Sequence, residues 1–71
     1  MREIKITTPF IKLDALLKFA ALCGSGGEAK RLINDGQASV NGEACFMRGK
    51  KLFPGDRIVF LGEEFFVSHE G

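Results

Sequence analysis

The sequence has few of the residues on which metal sites and nucleophilic catalysis depend. Its 71 residues include only two cysteines and one histidine. Cys23 and Cys45 belong to no C-x-x-C pair, and His69 is distant from both, so we predict no zinc site. No serine–histidine–acid set is evident either. We therefore expect no metal, no catalytic residue and no enzymatic activity.

The two cysteines are few enough to argue against a disulfide-rich framework. We interpret both as small, reduced, hydrophobic residues of a cytoplasmic protein. A single disulfide between Cys23 and Cys45 remains the alternative interpretation.

Long apolar runs are also missing. No run approaches the roughly 20 residues that a membrane helix needs, and the N-terminal residues alternate polar and apolar, unlike a signal peptide. No P-loop is present, and Gly24-Ser25-Gly26-Gly27 follows a helix pattern rather than a strand. We expect a cytoplasmic location, no membrane partner and no cofactor.

The length and the charge pattern limit what remains. A chain of 71 residues predicts one domain over residues 1–71 with little room for a deep cleft. The formal net charge is +1, but residues 12–57 carry eight Lys/Arg against five Asp/Glu, whereas residues 58–71 carry three acids and no base. A basic body and an acidic end are therefore hidden in a near-neutral total.

Apolar periodicity predicts an α+β fold. Leu13, Leu16, Leu17 and Ala20 have helical spacing, and turn signals lie at Asn41-Gly42 and at 54–56. The predicted helices cover Leu13–Leu22 and a segment from a Ser25 or Gly26 cap to about Asp35, closed by Gly36. The predicted strands cover residues 3–7, 37–40, 43–46, 57–61 and 64–68, with the last turn at Gly62-Glu63 and a basic loop over 47–53.

Two groups of cations stand out. Gly27, Lys30, Arg31 and Asn34 share the outer face of the second helix, and the basic loop holds Arg48, Lys50 and Lys51. Each group taken alone fits an ordinary solvated surface. Taken together they predict one phosphate-binding surface, to which bare N-terminal amides at Gly26 and Gly27 would contribute.

The phenylalanines divide between core and surface. We favour a core position for Phe46, with stacking on an unpaired base as the alternative. Of Phe60, Phe65 and Phe66, at least two are expected in the core.

An ordered set of short motifs resembles the S4 RNA-binding domain, most closely its stand-alone single-domain bacterial members. The set covers roughly 45 of the 71 residues. Two positions depart from the common pattern, since Lys12 and Gly27 stand where many members have arginine. The matching motifs are Lys12-Leu13-Asp14 with Leu17, Ser25-Gly26-Gly27-Glu28-Ala29-Lys30, Leu32-Ile33 with Gly36, Val40-Asn41-Gly42, and Pro54-Gly55-Asp56-Arg57-Ile58.

The resemblance implies the αL arrangement of two short helices packed on a small antiparallel sheet. It also implies binding to structured RNA, often ribosomal RNA, through the second helix and neighbouring loops. The contacts carried over to this chain are Lys12, Gly26, Gly27, Lys30, Arg31, Arg48, Lys50 and Lys51.

We therefore expect a non-catalytic, ribosome-associated protein that binds ribosomal or pre-ribosomal RNA, acts as a monomer and has no cofactor. Two alternatives are kept. A protein-interaction module would use Cys45-Phe46-Met47 and the acidic end. A ubiquitin-like sulfur carrier would resemble other carriers by ending in Gly-Gly, whereas this sequence ends in His69-Glu70-Gly71.

Overall fold

The computed structural model describes residues 2–20, Gly24 and residues 26–70. Within them, two helices and seven strands surround one hydrophobic cluster. The α+β class predicted from the sequence is confirmed. In chain order the elements are β1 (Arg2–Ile6), β2 (Ile11–Lys12), α1 (Leu13–Phe19), α2 (Gly26–Asn34), β3 (Ala38–Val40), β4 (Glu43–Ala44), β5 (Lys51–Leu52), β6 (Arg57–Phe60) and β7 (Glu63–His69).

Helix α1 places its predicted apolar stripe in the core. Leu13, Leu16 and Leu17 are fully buried, and Ala20, which caps the C-terminus of the helix, is nearly so. The described helix ends at Phe19. The predicted helix continued to Leu22, but Ala20 is its C-cap, and residues 21 and 22 lie outside the described residues.

Helix α2 also has the predicted inner face. Ala29 and Ile33 are fully buried and Leu32 is partly buried against them. The predicted stop at Gly36 is confirmed, since this glycine has φ +79°. Its N–H donates to the carbonyl of Ile33, and the N–H of Gln37 donates to that of Leu32, a pairing typical of a Schellman cap. The predicted cap at Ser25 lies outside the described residues.

The main sheet has the strand order β1-β7-β6-β3-β4, and β2 pairs with β5 in a separate two-stranded sheet. All pairs are antiparallel except β1 with β7. The predicted small antiparallel sheet is confirmed, with the parallel pair of β1 and β7 added at one edge. Both helices and five strands lie between β1 and β7 in the chain, and such a long connection permits parallel pairing.

Two turns connect the hairpins. The predicted Asn41-Gly42 turn is confirmed, with φ +53° and +87°, as a type I′ connection requires. The last hairpin turns at Leu61-Gly62, with φ +50° and +82°, because Phe60 pairs with Glu63. The prediction of Gly62-Glu63 was therefore wrong by one residue.

Side-chain hydrogen bonds connect the Asn41-Gly42 turn to the turn at Pro54-Gly55-Asp56. Asn41 Nδ2 donates to Asp56 Oδ1 at 3.2 Å, and Asn41 Oδ1 accepts from the N–H of Arg57 at 2.9 Å. The other oxygen of Asp56 accepts from the N–H of Phe53 at 2.8 Å. The Asn-Gly and Pro-Gly-Asp motifs are therefore one hydrogen-bonded unit that fixes the segment before β6.

Candidate nucleic-acid interface

Four cations are brought together at the start of α1, and we call them the Lys12 cluster. The first N–H groups of a helix have no partner within the helix. Here the basic loop supplies the acceptors for two of these groups. The N–H of Leu13 donates to the carbonyl of Lys50 at 2.9 Å, and the N–H of Asp14 donates to that of Arg48 at 3.0 Å. Strand pairing aligns Lys12 with Lys51. The backbone thereby assembles Lys12, Arg48, Lys50 and Lys51.

The predicted loop over 47–53 is therefore only partly a loop. Lys51 and Leu52 form β5, and Leu52 is fully buried. Two-residue strands are too short to show an alternation that a sequence pattern could reveal. The hydrogen bonds to α1 are also non-local, so neither the residues nor their spacing predicted how the loop docks.

The charges of the Lys12 cluster are exposed and available. The only ion pair among the described residues joins Arg2 to Glu63, at 3.8 Å. Lys51 Nζ lies 4.9 Å from the ring centroid of Phe10, a favourable cation–π geometry that orients the lysine and leaves its charge in place. The cluster can therefore pair with an external anion without first breaking an internal ion pair.

The outer face of α2 carries the other predicted cations. Gly27, Lys30, Arg31 and Asn34 are all exposed, as expected from their spacing. Within the described residues, no ion pair or side-chain hydrogen bond connects Lys30 or Arg31 to the Lys12 cluster. Their joint use by one ligand stays a prediction.

The N-terminus of α2 also holds an acid. Glu28 lies in the first turn, and its Oε2 would be 3.8 Å from a Cβ added at Gly24. A carboxylate is favourable at this end of the helix dipole and competes there with a phosphate. Phosphate binding at Gly26 and Gly27 stays a prediction. The stronger argument for RNA contact by α2 comes from its exposed cations, Lys30 and Arg31.

Beside the Lys12 cluster lies a groove of about 610 Å³ between the β3–β4 hairpin and the segment from Lys50 to Asp56. Its apolar lining is exposed: Phe46 by 59%, Met47 by 65% and Phe53 by 49%. The core position favoured for Phe46 was therefore wrong. The predicted return strand over 43–46 ends at Ala44, with one more ladder bond from Cys45 N to Ala38 O. The chain then leaves the sheet and carries Phe46 to the surface.

The other aromatic predictions are confirmed, since Phe60 and Phe65 are fully buried. Phe53 is the groove residue that the sequence did not indicate. Its ring lies 5.9 Å from that of Phe10. This ring contact joins two loop segments that are distant in sequence, so no local sequence pattern could indicate it.

The remaining candidate chemistry is sparse. In residues 2–20, Gly24 and 26–70, no group of three or more His, Cys, Asp or Glu is placed to hold a metal ion. No described helix is long and apolar enough to cross a membrane. Cys45 is a half-buried free thiol packed against the core. Cys23 lies outside the described residues, so the choice between reduced and bridged cysteines stays open.

Two helices lie on a mostly antiparallel sheet, with exposed cations at the start of α1 and on the outer face of α2. This arrangement is typical of an S4-type domain. The sequence model of the S4 domain family matches residues 4–68. The chain belongs to the S4 domain family.

Relatives fall among proteins of quite different length. The chain is 39% identical over 59 residues to the probable ribosome maturation protein RlbA of Bacillus subtilis (strain 168), a match that covers 83% of each protein. It is 42% identical over 53 residues to the tyrosine–tRNA ligase of Nitratidesulfovibrio vulgaris, covering 75% of this chain and 13% of that enzyme.

Among solved structures, the chain is similar to the 30S ribosomal protein S4e of Thermoplasma acidophilum, with a TM-score of 0.68 and 20% identity over 82% of this chain and 31% of that one. At this identity the likeness shows the fold. The chain spans well under two thirds of both S4e and the ligase.

Proposed function

We propose that this protein is a non-catalytic RNA-binding protein that recognises structured ribosomal or pre-ribosomal RNA. The contact surface combines the Lys12 cluster with Lys30, Arg31 and the backbone of Gly26 and Gly27 on α2. The observation that carries the proposal is the docking of the basic loop on α1, which gathers four cations that form no ion pair with any described residue.

This arrangement suits folded RNA. Double-stranded RNA is recognised mostly by shape, through phosphates and 2′-hydroxyl groups, because its deep major groove admits few side chains. Recognition by shape needs cations at fixed separations. The backbone of the Lys12 cluster supports this, because the carbonyls of Arg48 and Lys50 are held by α1 and Lys51 is paired with β2, so the four side chains leave the fold at fixed points.

The names of the relatives also favour structured RNA as the ligand. One is named as a ribosome maturation protein, one is a ribosomal protein and one is a ligase for a transfer RNA. A role in ribosome maturation would require a cytoplasmic location, and we propose that the protein acts there as a monomer without a cofactor.

The test is binding to purified ribosomal RNA at several salt concentrations, with poly(U) as an unstructured control. If about four phosphates are contacted, log affinity should fall against log salt with a slope near −3, at roughly 0.7 to 0.9 per contact. Ribosomal RNA should bind more tightly than poly(U) at equal nucleotide concentration. Absence of binding at low salt would refute RNA binding, and equal affinity for both RNAs would refute recognition of structure.

A further inference from the structure

We propose that the groove beside the Lys12 cluster holds one unpaired nucleotide of the bound RNA. This inference rests on the proposed function and adds a base-binding pocket to it. The groove measures about 610 Å³, within the range of about 300–1,000 Å³ that is usual for small-ligand pockets. Walls come from the hairpin residues Glu43 to Met47 on one side and from Lys50, Lys51 and Phe53 on the other.

The two phenylalanine rings of the groove lining are held in place by neighbouring residues. Phe53 packs on Phe10 with ring centroids 5.9 Å apart, and its backbone N–H is bonded to Asp56 Oδ2 at 2.8 Å. Phe46 lies against Gly36, where an added Cβ would be 3.3 Å from the ring. Both rings remain about half exposed. Aromatic rings that are fixed and exposed lose little conformational freedom when a base stacks on them.

Charge favours RNA over a protein as the occupant. Lys50 and Lys51 line the groove and also belong to the Lys12 cluster, so an RNA backbone bound by the cluster passes the mouth of the groove. An exposed aromatic ring beside lysines is the combination that binds single-stranded nucleic acid. A duplex cannot present a base face, whereas a bulged or looped nucleotide can.

One acidic group gives the groove a preference among bases. The carboxylate of Asp56 is not available to a base, because its two oxygens already accept hydrogen bonds from Asn41 Nδ2 and from the N–H of Phe53. Glu43 also lines the groove and is exposed, and its carboxylate makes no hydrogen bond or ion pair with the described residues. A carboxylate only accepts hydrogen bonds, so it matches a base with an exocyclic amino group, such as cytosine. Uracil lacks that group.

The experiment compares three RNA hairpins of identical stem, one fully paired, one with a single bulged C and one with a single bulged U. The wild-type protein should bind the bulged-C hairpin most tightly. Phe46→Ala should weaken binding of the bulged hairpins by about 5- to 150-fold, the amount expected for one base stack. Binding of the paired hairpin and the salt slopes should be unchanged, because stacking involves no ion release.

Controls separate stacking from folding. Phe46→Trp keeps an aromatic face and should retain bulge binding, whereas Phe46→Leu keeps apolar area and should lose it. Phe19→Ala removes an equally exposed phenylalanine, 66% accessible and outside the groove lining, and should change nothing. Glu43→Ala should remove the preference for C over U.

Two results would refute the proposed nucleotide pocket while leaving the proposed RNA-binding function intact. One is equal wild-type affinity for paired and bulged hairpins with a normal salt slope. The other is unaltered bulge binding by a folded Phe46→Ala variant, which would exclude base stacking on Phe46 and leave a protein partner as the alternative occupant of the groove. Failure of the wild-type protein to bind any hairpin at low salt would instead refute the proposed function itself.

Discussion

Removing two charges from the Lys12 cluster should weaken RNA binding through its ionic component alone. The variant is Arg48→Gln with Lys50→Gln. These two residues hold α1 through their backbone carbonyls, which accept from Asp14 N and Leu13 N at 3.0 and 2.9 Å. A side-chain substitution leaves both bonds in place, and both side chains are exposed. The fold should therefore be unaffected.

The magnitude follows from the number of phosphates contacted. At roughly 0.7 to 0.9 per contact, four contacts give a salt slope near −3, and losing two should reduce it by about 1.4 to 1.8. Over a fourfold rise in salt, the same relation predicts about a 50- to 150-fold loss of affinity for the wild-type protein. For the variant it predicts only about a 7- to 12-fold loss.

The assay is fluorescence anisotropy with a labelled fragment of ribosomal RNA, repeated across the salt series. A matched control, Lys5→Gln with Arg57→Gln, also removes one lysine and one arginine. Lys5 lies on the edge strand β1, and Arg57 alternates with the inward-facing Ile58 on β6. The control should keep the wild-type slope. Equal slopes for both double variants would refute the assignment of phosphate contacts to the Lys12 cluster.

Three further changes test other parts of the structure. Lys30→Glu with Arg31→Glu should abolish RNA binding in the same assay with an unchanged melting temperature, because exposed substitutions usually cost under ~0.5 kcal/mol; wild-type affinity would exclude the α2 face. Leu61→Asn should raise the free energy of unfolding by about 0.5–1 kcal/mol in urea titrations, because asparagine tolerates the positive φ of this turn; no gain would mean that Leu61 is unstrained. Asn41→Ala should lower that free energy by about 2 kcal/mol, through its lost hydrogen bonds and its positive φ, and an unaltered urea midpoint would contradict this role.

Features determined by local chemistry were predictable from the sequence. The α1 stripe, the stop at Gly36 and the Asn41-Gly42 turn each depend on residues within a few positions of one another. Their physical causes are helical spacing, tolerance of positive φ and backbone capping. The prediction of the last turn failed because Leu61 occupies a left-handed position that its side chain disfavours.

Features determined by distant partners were not predictable in the same way. The parallel pairing of β1 with β7 joins the two ends of the described chain. The docking of Lys50 on α1 and the pairing of Phe10 with Phe53 span some 40 residues. Phe46 was misassigned because hydrophobicity alone cannot show that β4 ends two residues earlier. The cations of the Lys12 cluster were therefore named from the sequence, but the backbone contacts that assemble them were not, and their role in binding stays a prediction.

The most direct test of RNA binding by the Lys12 cluster and α2 is a residue-resolved NMR titration of the ¹⁵N-labelled protein with a structured fragment of ribosomal RNA. The predicted result is that the amide signals of Lys12, Lys30 and Arg31 and of residues 48–51 move together at low salt and return as salt is raised. Signals from the sheet face turned away from the helices, such as Val59 and Glu64, should stay in place. Shifts confined to that face, or no shifts at low salt, would contradict RNA binding by this surface.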